Sequence, residues 1–312
     1  MKEDPVLHRL KLRELRILLA VTKAGSMAKA ATRLAISQPA VSRAIADMET
    51  TLGVALFNRG SQGVEPTPYG RALIKRSVTV FDELRQGVKE IEFIASPTGG
   101  EVRIGGTPAI AVGIVAAVID RLSRKYPRLS FHVVTATLPT LLRELRERKV
   151  DMIIALTFEP VTEEDIDSEI LNEDQMVVAA AATNPWSRRR RIELADLANE
   201  NWTLPEPEHR LASAVVEAFR AKGVEPPRAI VTTTSAHLRH TLLATGRFLT
   251  VVQESLLQFP SKPSSLKVLP VALPMTRGTT RIMTLKNRTL SPVAQFFIES
   301  AREVAKSLAK RK

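Results

Sequence analysis

Apolar residues at Leu12, Leu15, Leu18 and Leu19, followed by Thr22, recur at steps of three and four, the period of a helix with one buried face. Gly25-Ser26 interrupts the run, and a second begins in which Ser26 is a candidate cap for a helix carrying Ala30, Ala31 and Leu34. Ala35-Ile36 then separates it from a third run, with Ser37 as its cap and Val41, Ala44, Ile45, Met48 and Leu52 on its apolar face. So short a connection excludes antiparallel stacking of long helices, and small Ala30 and Ala31 permit the close crossing of a helix-turn-helix. Val54–Arg59 and Val64–Thr67, on either side of Gly60-Ser61-Gln62-Gly63, predict two brief strands around a glycine turn, a wing.

From Tyr69 to about Ala95 one long helix is predicted, with Ile74, Val78, Phe81, Leu84, Val88, Ile91 and Ile94 at alternating four- and three-residue steps. It spans about 40 Å at 1.5 Å per residue, too long for its apolar stripe to hide on a small winged domain. Ile74, Val78, Phe81, Leu84, Val88 and Ile91 therefore form a candidate dimerisation seam; the competing reading is that the rest of the same chain covers them.

Ser96-Pro97-Thr98-Gly99-Gly100 is a breaker cluster and marks a domain boundary. Beyond it, strands at Val102–Ile104, Leu129–Val134 and Met152–Leu156 alternate with helices at Ala109–Lys125 and Leu138–Arg148, which predicts an α/β unit with a parallel sheet. A second set follows Pro160: strands at Met176–Ala182, Ile230–Thr233 and Leu249–Val252, and helices at Leu211–Lys222 and Leu238–Thr245. The last stretch, Leu266–Leu269, Arg281–Leu285 and a helix Val293–Ala309, is expected to return to the first unit, so that two crossings make a hinge. The expected organisation is a winged helix-turn-helix over 1–68, a linker helix over 69–96 and a two-lobed domain over 97–312, lobe I at about 100–160 and 267–312 and lobe II at about 161–266.

The chain has 312 residues, a formal net charge of +12 and no cysteine. This charge favours a polyanion, a nucleic acid or an anionic ligand, and the helix-turn-helix pattern makes double-stranded DNA the expected partner. Between Leu7 and Arg76 there are 12 Lys and Arg against four acids, 12 − 4 = +8, so two thirds of the excess lies where the helix-turn-helix is predicted. Without thiols there is no disulfide, thiolate metal site or cysteine nucleophile. The amino-terminal run is broken by charges, unlike a signal peptide, and no stretch reaches the ~20 apolar residues of a membrane helix, so a cytoplasmic chain with no membrane partner is expected.

Gly25-Ser26-Met27-Ala28-Lys29-Ala30-Ala31-Thr32-Arg33-Leu34, Ser37-Gln38-Pro39-Ala40-Val41-Ser42-Arg43-Ala44-Ile45, Glu49, Leu52-Gly53, Leu56-Phe57-Asn58-Arg59 and Thr67-Pro68-Tyr69-Gly70 resemble, with spacing intact, the LysR-type transcriptional regulators. The rest is similar to that family's periplasmic-binding-protein-like effector domain. The expected fold is thus α+β and multidomain, an amino-terminal winged helix-turn-helix with a long linker helix and then a two-lobed α/β domain. The resemblance implies a homo-oligomer, dimer or tetramer, with RNA polymerase as a further partner. Residues 101–157 are similar to those of family members that answer to sugars or to aromatic acids and sulfonates.

Gln38, Pro39, Ser42 and Arg43 lie at the start and on one face of the third helix, where a recognition helix meets base edges; Gln suits adenine and Arg guanine. Lys29, Arg33 and Arg59 are candidates for phosphate contact. Thr67 is either a joint between wing and linker or a helix cap. Gly105-Gly106-Thr107-Pro108 ends a strand and opens a helix, placing amides and the Thr107 hydroxyl where an anion is stabilised, or else forming an ordinary turn. The resemblance adds Thr135, Thr137, Leu138, Leu156, Pro205, Thr234 and Ser235 to Thr107 and Pro108 as residues facing an effector cleft.

His237 and His240 have metal-sharing spacing without an accompanying carboxylate or thiol, which favours a solvated or capping role, and Arg188–Arg191 reads as a solvated loop. Motifs for a nucleophile elbow, phosphate loop, zinc protease or dinucleotide fold are missing, so no enzyme, metal or cofactor is expected. The rival readings are a solute-binding protein with a helical extension, and an enzyme on a doubly wound fold.

Overall fold

The computed structural model describes residues 9–60, 63–96, 99–206, 210–259, 266–273 and 277–309. Two compact bodies form, residues 1–88 and 89–312. The first contains α1 (Leu12–Ala24), α2 (Met27–Leu34), α3 (Gln38–Leu52), an antiparallel hairpin of β1 (Phe57–Gly60) and β2 (Gly63–Pro66), and the start of α4 (Pro68–Ala95). Its core is Ile17, Leu18, Val21, Ala30, Ala31, Val41, Ile45, Met48, Leu56 and Phe57; the helical period placed Leu18, Ala30, Ala31, Val41, Ile45 and Met48 inward, but it missed Ile17 and Val21, and Leu12 is exposed. Each large apolar side chain buried there contributes about 1.5–3 kcal/mol.

The helix ends follow from local chemistry. Gly25 and Gly53 close α1 and α3 in the left-handed conformation, and the Ser37 hydroxyl accepts from Ala40 N at the start of α3. Ser26 occupies the cap position of α2 but its side chain makes no cap hydrogen bond, contrary to expectation. Gly63 takes φ +122° as β2 begins, and a Cβ there would run into the Gly25 carbonyl, which instead accepts from Val64 N at 3.1 Å. The wing is thereby fixed to the corner between α1 and α2.

The second body continues with β3 (Gly99–Gly106), a short turn Pro108–Ile110, a π-helical turn Ala111–Val115, α5 (Ala116–Lys125), β4 (Arg128–Thr135), α6 (Leu138–Arg146) and β5 (Met152–Thr157). Next come β6 (Ile166–Ala181), β7 (Trp202–Leu204), α7 (Arg210–Arg220), β8 (Ala229–Thr232), α8 (Ala236–Ala244) and β9 (Leu249–Gln253). β10 (Leu266–Val268), β11 (Arg277–Leu285) and α9 (Pro292–Ala309) complete it. The strand order is β4-β3-β5-β11-β6-β9-β7-β8, with β10 alongside β6.

β3, β4 and β5 are parallel, but β11 joins β5 antiparallel, so the first lobe has a mixed sheet rather than the parallel one expected. β6 is common to both lobes: Ile166–Gln175 pairs with β11, and Met176–Ala180 pairs with β9. The strand expected at Met176–Ala182 is therefore only the last part, Met176–Ala181, of a 16-residue strand. Leu266–Val268 pairs with Ala179–Ala181 and so belongs to the second lobe, which corrects the expectation that this stretch returns to the first.

Lobe I packs Val102, Ile104, Val118, Ile154, Phe297 and Ala301 on one sheet face and Leu141, Leu145, Ile153 and Met283 on the other. Lobe II centres on Val178, Leu197, Trp202, Val215, Phe219 and Leu249, with the Trp202 indole N–H donating to the Leu197 carbonyl at 2.7 Å. Among the described residues no helix is long and apolar enough to cross a membrane.

Candidate nucleic-acid interface and ligand cleft

On α3, Val41, Ile45 and Met48 point into the core, which leaves Gln38, Pro39 and Arg43 exposed and Ser42 half-buried along the opposite face. Pro39 sits in the first turn, where an absent N–H costs no helical bond. Lys29 and Arg33 are exposed one turn apart on α2. Arg59 faces Val64 across the hairpin; its side chain lies outside the described residues, as do the turn residues Ser61 and Gln62.

Two residues hold this surface in shape. Glu49 on α3 accepts from Leu56 N at 2.7 Å and Phe57 N at 3.3 Å, tying the wing's first strand to α3. Its role went unassigned in the sequence because its partners are backbone amides seven and eight residues away. The buried Thr67 hydroxyl donates to Ala55 O at 2.7 Å and accepts from Gly70 N at 3.0 Å, so it both caps α4 and seals the wing. A Cβ at Gly70 would collide with the Leu56 carbonyl, so that close approach requires glycine.

Along α4, Leu84, Val88 and Ile91 are 49%, 54% and 68% exposed, a continuous apolar stripe; Ile94 extends it, and Val78 and Phe81 are half-buried. Ile74 departs from the expected seam by packing partly against the winged-domain core. The carboxyl end of α4 belongs to the second body. Lys89 Nζ reaches Glu101 O at 3.2 Å and Asp151 at 3.6 Å, Asp151 also pairs with buried Arg288 at 3.0 Å, and the Phe93 ring meets Phe296 edge-on. Of the breaker cluster after it, Pro97 and Thr98 lie outside the described residues.

In the second body, topology places the strand ends. β6 leaves lobe I at Gln175, opposite Arg277, so the Arg277–Thr279 end of β11 and the Thr157 end of β5 face the other lobe. The carboxyl ends of β3 and β4 follow because both run parallel with β5. In lobe II, Met176 pairs with Gln253, so the carboxyl ends of β9 and of its parallel neighbours β7 and β8 face back. An α/β sheet binds ligands outside the carboxyl ends of its strands, and here two such edges adjoin one junction.

The sequence-derived candidates sit on these edges. Thr107 and Pro108 follow β3 and are half-buried; Thr135 ends β4 and is exposed; Thr137, exposed, and Leu138, half-buried, open α6. Leu156 is next to last in β5 and packs against the lobe II core; Pro205 is buried directly after β7; Thr234 and Ser235 are exposed after β8, with the Ser235 hydroxyl capping Leu238 N of α8. Asp174, buried beside the lobe junction, accepts from Ser255 N at 3.2 Å and from its hydroxyl at 2.5 Å, stapling β6 to the turn after β9. His237 is exposed and His240 half-buried, and burial, then Arg239, then His237 pull the His240 imidazole below its usual range. Among the described residues no group of three His, Cys, Asp or Glu is placed to hold a metal ion. Arg188–Arg191 is exposed.

A winged helix-turn-helix joined by a long helix to a two-lobed α/β domain with facing carboxyl edges defines a ligand-responsive, DNA-binding regulator. Residues 12–71 match the model of the bacterial regulatory helix-turn-helix protein, lysR family, and residues 95–306 that of the LysR substrate binding domain. The chain belongs to the LysR family of transcriptional regulators. It is similar to the HTH-type transcriptional regulator GbpR of Azospirillum brasilense, 31% identical with 97% of this chain and 89% of the relative covered. TdcA of Escherichia coli K12 is 27% identical, with 94% and 93% covered. Among solved structures, a full-length OxyR variant from Pseudomonas aeruginosa matches with a TM-score of 0.66 at 22% identity, covering 96% of this chain and 95% of that one. Full-length CbnR in complex with its target DNA matches at 0.63 and 20%, covering 95% and 100%. Relatives and fold are those of transcriptional regulators, not enzymes.

Proposed function

We propose that the chain reads its operator through α3, with Gln38, Pro39, Ser42 and Arg43 at base edges and Lys29, Arg33 and Arg59 on flanking phosphates. The observation that carries this reading is the division of α3: one face buried in the domain core, the other presenting Gln38, Pro39 and Arg43 to solvent from the helix start. Two chains pair through Val78, Phe81, Leu84, Val88 and Ile91 of α4, flanked by Ile74, and pairs assemble further to a tetramer. A small-molecule effector sits between the lobes against Thr107, Pro108, Thr135, Thr137, Leu138, Leu156, Pro205, Thr234 and Ser235. It acts by binding one arrangement of the lobes more tightly than another. The regulator works in the cytoplasm, and RNA polymerase is the partner through which bound protein changes transcription.

Footprinting on DNA upstream of the protein's own gene tests the interface. Arg43→Ala or Gln38→Ala should cost about 1–3 kcal/mol, roughly 5- to 150-fold in affinity, and relax specificity at one position. Lys29→Ala should weaken binding to all sequences alike and lower the salt slope by about one. Unchanged protection in the Gln38 and Arg43 variants would sink the assignment of α3 as the reading helix.

A further inference from the structure

Of the arginines in the second body that are buried or half-buried, Arg288 pairs with Asp151 and Arg103 with Glu101. Among the described residues two others, Arg281 and Arg239, have only neutral partners. Arg281 on β11, half-buried, donates Nε to Thr279 Oγ1 at 2.9 Å and Thr157 Oγ1 at 3.2 Å, and Nη1 to Ser168 Oγ at 3.4 Å. All three acceptors are neutral hydroxyls. Glu173, opposite Thr279 in register, forms no ion pair with it. Thr157 ends β5 and Thr279 lies two residues from the start of β11, so the Nε side of the guanidinium stands toward lobe II while Nη1 turns back to Ser168, opposite Met283.

The other, Arg239, lies in the first half of α8 and is half-buried. It donates Nη1 to the Thr233 carbonyl at 2.8 Å, folding back toward the helix start that follows the carboxyl end of β8. Desolvation pulls its guanidinium below the usual value, with no carboxylate offsetting it. A half-buried cation without a counter-charge costs free energy that a bound anion recovers, and the planar fork of arginine suits a carboxylate.

We propose that the effector is a small dicarboxylate, one acid group taken by Arg281 of lobe I beside Thr157 and Thr279, the other by Arg239 of lobe II beside Thr233. The proposal rests on the interlobe reading of the effector site and gives it a ligand class. Each lobe supplies one half-buried guanidinium, so a molecule with two separated anionic groups satisfies both, whereas a monoacid leaves one unpaired. Such a ligand engages both guanidinia only when the lobes stand at one separation, and it therefore favours one arrangement over others.

Calorimetric titration of the full chain with malonate, succinate, glutarate and adipate, the monoacid of equal carbon number for each, and inorganic phosphate tests this. One diacid should bind at least tenfold more tightly than its monoacid and than phosphate, and Arg281→Gln and Arg239→Gln should each abolish the preference. Arg281→Lys and Arg239→Lys, which keep the charge but not the fork, should retain part of it and guard against a folding defect. The absence of any diacid preference in the unaltered chain, its survival in either Gln variant, or phosphate binding as tightly as the diacid would overturn the proposal. Loss in both Gln variants with Thr107→Val unaffected would keep the dicarboxylate and move the cleft away from Thr107. Loss in Thr107→Val alone would keep the cleft and reject the two arginines.

Discussion

Replacing Thr67 by valine is a nearly isosteric change that removes one hydroxyl from the joint between wing and linker helix. In the structure that hydroxyl donates to Ala55 O and accepts from Gly70 N, and the residue is 7% exposed. Loss of the cap costs about 1 kcal/mol. Ala55 is exposed, so water can reach its carbonyl, and the lost donor adds only about 0.5–1.5 kcal/mol. The sum, about 1.5–2.5 kcal/mol, should speed hydrogen exchange through local opening by roughly 10- to 60-fold, at 1.4 kcal/mol per factor of ten. Mass-spectrometric exchange on the full chain should show the loss at the wing strands and the first turn of α4, while peptides from the effector domain stay protected. Thr67→Ser keeps the hydroxyl and should exchange close to the unaltered chain. Unchanged protection in Thr67→Val, or Thr67→Ser failing equally, would show that methyl packing rather than hydrogen bonding holds the joint.

Leu84→Glu with Val88→Glu places two charges in the exposed stripe of α4, and sedimentation should show the oligomer shifting to monomer, because an unpaired charge buried at a seam is costly; an unaltered profile refutes the seam. His240 has a depressed folded-state value, so the unfolded chain takes up a proton first as pH falls below about 6.5. Its contribution is intact above that pH and lost as pH drops toward the folded-state value, so denaturation midpoints of His240→Gln should fall less steeply below pH 6.5 than those of the unaltered chain.

The winged domain was legible because each of its signals is local: the three- and four-step spacing of Leu15, Leu18, Val41, Ile45 and Met48, and the glycines that end α1 and α3. The first half of β6 was not. Asp167 and Glu169 are exposed, and Glu169 pairs with Arg302 of α9, so this stretch reads as polar loop although it is a paired strand. β7 is three residues long, too short for any period to show. Leu266–Val268 misled because chain order suggested a return to lobe I, whereas its partner is the alanine run at the far end of β6. Arg239 and Arg281 escaped notice for a different reason: lacking a carboxylate is a property of the neighbourhood, and nothing in the sequence around either records it.

The insertion of lobe II between two segments of lobe I sets an order of events during synthesis. Lobe I buries Val102, Ile104 and Ile154 beneath Phe297, Ala301 and Val304, which are made only after the whole of lobe II. At 5–20 residues per second the ribosome takes about 8–30 s to travel from the end of β5 to the end of α9. Throughout that interval half of a hydrophobic core waits uncovered while all of lobe II emerges. A nascent chain stalled anywhere in lobe II would present a finished DNA-reading domain attached to an unfinished sensor.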